Sequence, residues 1–89
     1  MPELKRFTLQ GTAVGSAQAI TLDEISILAT PATLRALGEF FIEAAQQMKR
    51  QQLEHVHLQD CIANFSSDRH ADIILLNGNV LGTPKVPTN

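Results

Sequence analysis

Phe7 and Leu9 alternate with Arg6, Thr8 and Gln10, a period of two that predicts a half-buried strand over residues 3–10. Gly11 to Ser16 is small and punctuated by glycine, which predicts an open hairpin connection. Ala19 to Ala29 is rich in β-branched residues and predicts the longest strand. Ile20 and Leu22 share one parity there, while Ile25, Ile27 and Ala29 share the other. A bulge or bend at Asp23-Glu24 brings both sets to one side.

Thr30-Pro31 then marks a helix start, since a Thr hydroxyl caps the first amides and Pro is tolerated at the first helical position. From 30 to 52 the apolar residues Leu34, Leu37, Phe41, Ala44, Ala45 and Met48 recur at three- and four-residue spacing, predicting the core face. Arg35, Glu39, Glu43, Gln46 and Arg50 line the other side. Gly38 falls within the apolar stripe and is expected to let the helix backbone approach the sheet closely. Phe40 and Ile42 widen the apolar arc on its two flanks, so something beyond one sheet contact has to cover a flank.

Beyond the helix, Glu54-His55-Val56-His57-Leu58 alternates again, with Val56 and Leu58 predicted inward and both imidazoles outward. Gln59 to Ala71 carries the turn residues Asn64, Ser66, Ser67 and Asp68 and the apolar anchors Ile62 and Phe65, as in a packed loop over the helix flank. Asp72 to Asn77 is the most continuous apolar run and predicts a central strand. Residues 78–89 read as an extended tail. The summed order is β-β-α-β-β: an α+β, two-layer sandwich in which a mostly antiparallel sheet carries one long helix on one face, all in a single domain over residues 1–89. The face the helix leaves open is expected to meet solvent or, since Ile73 to Leu76 supplies apolar side chains to both sheet faces, a homodimer or a protein partner.

Eighty-nine residues suffice for one small core and exclude paired substrate and cofactor domains. The chain is 44% hydrophobic and 18% charged, an ordinary globular stock. Seven Lys and Arg against nine Asp and Glu leave a net charge of -2, too weak a field for phosphate-backbone binding. Four Phe without Tyr or Trp offer few stacking platforms, so nucleic acid is not an expected partner. No stretch approaches the ~20 apolar residues of a membrane span, and the N-terminus lacks a signal-peptide pattern. The single Cys61 suits a reducing compartment and reads as a packing residue, not a nucleophile. A soluble, cytoplasmic protein is expected.

Candidate chemistry is sparse. His55 and His57 at alternate strand positions, with Asp60 and His70 nearby in sequence, have the residue types of a divalent-metal site but lack any supporting ligand spacing. Surface or hydrogen-bonding roles are the expected reading, with metal binding as the alternative. Asp60, Asp68 and Asp72 are acid/base candidates, and Asp68 and Asp72 also suit turn and strand-edge roles. Arg35, Glu39, Glu43 and Arg50 form a solvated helix face or, alternatively, a partner surface. Gly11 and Gly15 lie between strands, so no phosphate-binding loop is present. No cofactor is called for.

The helix from Thr30-Pro31-Ala32-Thr33 to Gln46-Gln47-Met48, the segment Glu54-His55-Val56-His57-Leu58-Gln59-Asp60 and the run Ala71-Asp72-Ile73-Ile74-Leu75-Leu76-Asn77 together resemble the immunity proteins of bacterial polymorphic toxin systems, in particular the family numbered thirty-two. The resemblance covers about half of the chain. It implies a cytoplasmic, non-enzymatic protein that binds and blocks a cognate toxin, and it makes His55, His57 and Asp60 the positions to carry over from a His-bearing strand. Glu39 and Glu43 on the helix are further candidate contacts. A homodimeric structural or regulatory domain built on Ile73 to Leu76 and the tail is the first rival, and a metal-dependent enzyme using His55, His57 and Asp60 the second.

Overall fold

The computed structural model of the chain describes residues 3–82. They divide into two compact units, residues 3–28 and residues 29–82. In the first unit, β1 (Leu9–Gly11) pairs antiparallel with β2 (Ile20–Leu22), Leu9 facing Leu22 and Gly11 facing Ile20. The Ser16 amide donates to the Ala13 carbonyl at 2.9 Å, closing a turn whose third residue, Gly15, has φ of 82°. An L side chain rarely adopts that backbone, so glycine suits the position. Both strands are shorter than their alternation predicts. A strand needs a ladder partner, and among the described residues the β1-β2 ladder spans Leu9–Gly11 and Ile20–Leu22. The bend at Asp23 therefore ends β2 instead of carrying it on, and Ile25, Ile27 and Leu28 stand exposed.

The second unit begins with α1 (Pro31–Gln51), one residue inside the predicted bounds at each end. The Thr30 hydroxyl accepts the Thr33 amide at 3.2 Å, and Pro31 takes the first position. Lys49 and Arg50 in the last turn complement the carbonyl end of the helix dipole. Gln52 closes the helix in left-handed conformation, φ 55°, with its amide on the Met48 carbonyl at 3.0 Å.

After the helix, β3 (His55–His57) runs into a 3-10 turn over Leu58–Asp60. It pairs antiparallel with β4 (Ile74–Leu76), His55 opposite Leu76, Val56 opposite Leu75 and His57 opposite Ile74. Backbone bonds extend the ladder at both ends, Leu58 donating to Ile73 and Asn77 to Glu54, each at 2.8 Å. The α+β class is as predicted, with antiparallel strands and one long helix, but the four strands form two separate ribbons.

One layer of this unit is α1 and the other is the β3-β4 ribbon with its 3-10 turn. Phe40, Ala44, Val56 and Leu58 are buried between them, and Leu37, Met48, Leu53, Ile62, Ile73 and Leu75 pack around that cluster. Val56 and Leu58 thus face inward as predicted. The helix presents a different edge from the predicted one. Phe40 is at the centre of the contact, while Leu34, Phe41 and Ala45 are exposed, a turn of about 50°, half the angle between successive residues. Gly38 lies on the outer side with open space where a Cβ would sit, so the predicted close approach to the sheet does not occur.

Residues 78–81, read from sequence as the start of an extended tail, form α2 (Gly78–Leu81). Asn77 explains it. Its side-chain oxygen accepts the Asn79 amide at 3.0 Å while its amide nitrogen donates to the Leu53 carbonyl at 2.9 Å. A buried Asn with both ends paired caps α2 and ties it to the end of α1. The rest of the expected tail, from residue 83, lies outside the described residues.

Candidate functional site

Strand alternation gives the β3-β4 ribbon two unlike faces. Val56 and Leu75 point to the helix, whereas His55, His57, Ile74 and Leu76 share the opposite face. Ile74 and Leu76 keep 49% and 63% of their surface in solvent, and His55 is exposed beside them. Two exposed apolar side chains therefore stand beside two imidazoles on one face of the ribbon.

His57 is the anchored member. Its Nδ1 lies 2.8 Å from Asp72 Oδ2, and Asp72 Oδ1 accepts the Gln59 amide at 3.0 Å. Burial pushes the Asp72 carboxyl up. The hydrogen bonds from His57 and the Gln59 amide, the attraction of the His57 ring and the Ile73 amide outweigh this and hold the group below its ordinary value. An ionised carboxylate only accepts, so His57 Nδ1 is the donor in this bond and Nε2 is the ring nitrogen that Asp72 leaves unengaged. The His55 ring stands edge-on to it, centroids 5.1 Å apart and planes at 79°.

His70 has a separate task. The Ser66 amide donates to His70 Nδ1 at 3.0 Å and the His70 amide returns to the Ser66 carbonyl at 2.7 Å. Phe65 packs on the same ring at 5.6 Å between centroids, so His70 closes the 65–70 loop and stands outside the strand pair. The sequence placed Asp60 with His55 and His57, yet among the described residues no three His, Cys, Asp or Glu side chains gather as a metal-holding group. Asp60 is the exposed last residue of the 3-10 turn. Asp68 occupies an exposed turn, and Cys61, also exposed, ends the 3-10 turn. Glu39 and Glu43 are exposed on α1, Glu39 3.8 Å from Arg35 in a solvent-facing pair. An open depression of about 340 Å³ lies among Ala45, Met48, Lys49, Gln52, Asn77 and Asn79 and shares no residue with the imidazole face.

Sequence reasoning weighed Asp72 as an acid/base candidate with Asp60 and Asp68 or as a turn or strand-edge acid, and so missed its bond to His57. The two are 15 positions apart and meet through the ribbon register. The available signal was parity, since Asp72 precedes Ile74 by two and shares its face.

The family model described as Immunity protein 32 matches residues 24–77. The chain belongs to this family. The match runs through α1, β3 and β4 to Asn77, the elements that build the two-faced ribbon. Membership carries a general role in toxin neutralisation, with a toxin as partner. No curated protein and no solved structure matches the chain. No described helix is long and apolar enough to cross a membrane.

Proposed function

We propose that this chain is a cytoplasmic, non-catalytic immunity protein of a polymorphic toxin system that neutralises one cognate bacterial toxin by direct contact. The observation that carries this reading is the family match over residues 24–77. The contact surface is the outer face of the β3-β4 ribbon, where His55, His57, Ile74 and Leu76 combine apolar area with polar tips, the mixture typical of the centre of a protein interface. Asp60 at the end of the adjoining turn extends it, and Glu39 and Glu43 on α1 form a separate polar arm. A net charge of -2 agrees with a protein partner better than with nucleic acid.

Co-expression with the C-terminal domain of the large reading frame beside the gene tests the proposal, scored by growth and by co-purification. Rescue with a stable complex is expected. Ile74→Glu should abolish both while leaving the helical circular-dichroism signal intact, and Glu39→Lys with Glu43→Lys should act on association rate and salt dependence. Growth arrest without a complex would reject the reading.

A homodimer through the same ribbon face is the second reading, favoured by the exposure of Ile74 and Leu76. Sedimentation separates the two: a dimer that Leu76→Glu dissociates supports it, and a monomer at tens of micromolar, about 10–50 µM, rejects it.

A further inference from the structure

The imidazole pair has a property that toxin binding does not require. His57 has its Nδ1 proton held by Asp72, whose second oxygen is fixed by the Gln59 amide. Metal-binding histidines are oriented in this way, with a carboxylate on one ring nitrogen and the lone pair of the other free. His55, two positions earlier on the same strand face, presents its ring 5.1 Å away, centroid to centroid. Two imidazoles bound to one tetrahedral zinc ion through ~2.0 Å bonds have centroids ~5 Å apart. The observed centroid spacing is within the reach of a shared ion.

We propose that His55 and His57 form a two-imidazole half-site for a late divalent transition metal ion, zinc foremost, with Asp72 as the positioning carboxylate. Imidazole nitrogen suits zinc, copper and nickel and is a poor ligand for magnesium or calcium, so the site discriminates by ligand softness. Since no third His, Cys, Asp or Glu among the described residues joins the pair, the remaining positions belong to water or to donors from a bound protein. With about half the donors of a structural zinc site, the chain alone binds in the micromolar range, about 1–100 µM. This inference stands apart from toxin recognition and is tested without a toxin.

Zinc chloride is titrated into the full-length protein while the ring nitrogens are followed by long-range proton–nitrogen correlation. The expected result is a joint shift of the His55 and His57 rings, saturating in the micromolar range, with His70 unmoved because its Nδ1 lone pair is engaged by the Ser66 amide. Magnesium should move none of them. His55→Gln, at an exposed position, should weaken binding at least about tenfold, and Asp72→Asn about tenfold or more through loss of ring orientation. Circular dichroism confirms that each variant is folded. No shift at about 1 mM zinc, a shift confined to His55 or His70, or undiminished affinity in folded His55→Gln each overturns the proposal.

Discussion

Asp72 joins three backbone neighbourhoods through one carboxylate: the strand that carries His57, the 3-10 turn through Gln59, and the start of β4. Its acidity is lowered in the folded chain, so the sign of its pH effect follows. A group with a depressed folded value adds stability that is complete above the ordinary aspartate value, about 4, and is lost as pH falls through the folded value below it. Asp72→Asn should cost about 1 kcal/mol at neutral pH, the order of a partly screened charge-assisted hydrogen bond. That gap between wild type and variant should close as pH is lowered from about 5 to about 2, read from urea midpoints at each pH. A constant gap across the range would show that the carboxylate contributes no charge-dependent stability. Such a residue is poorly legible in sequence because its partner is chosen by register. Asn77 is more legible, since an Asn before Gly78-Asn79-Val80-Leu81 is a capping signal in plain view, though only the fold shows that its other end ties down Leu53.

The elements differ in how much of them is local. α1 was readable to within a residue because a Thr cap, an N1 proline and a 3.6-residue pattern all act within a few turns. Its facing edge was not, since several apolar arcs overlap on the wheel and the ribbon selects the one centred on Phe40. The strands were overextended for the same reason: alternation marks residues able to pair, but a partner sets where pairing stops. Gly38 shows the consequence. With open space around it and helix on both sides, it contributes only backbone freedom to the unfolded chain. Gly38→Ala should therefore stabilise by about 0.5–1 kcal/mol, a rise of about 2–6 °C in thermal midpoint by scanning calorimetry. A fall in midpoint would mean that the added methyl meets a neighbour and would restore the close approach expected from sequence.

Across the whole molecule, the same ribbon is asked both to fold and to offer a surface, and its alternation divides the tasks. The inward residues belong to a small core whose buried apolar members, among the described residues, are Phe40, Ala44, Val56 and Leu58. A unit of residues 29–82 at typical values has about 3–8 kcal/mol of total stability. Replacing a buried Phe by Ala costs about 3–5 kcal/mol, so Phe40→Ala should consume most or all of it. Cooperative unfolding at 37 °C should vanish, and protection against a toxin should vanish with it. Ile74→Ala, on the half-exposed outer face, should cost under about 1 kcal/mol and leave the transition cooperative. Measured together, the two variants separate scaffold from contact. If Phe40→Ala still melted cooperatively near the wild-type midpoint, the helix-ribbon cluster would not be the core. If Ile74→Ala unfolded the chain as thoroughly as Phe40→Ala, the outer face would be structural, and the division on which toxin contact at that face depends would fail.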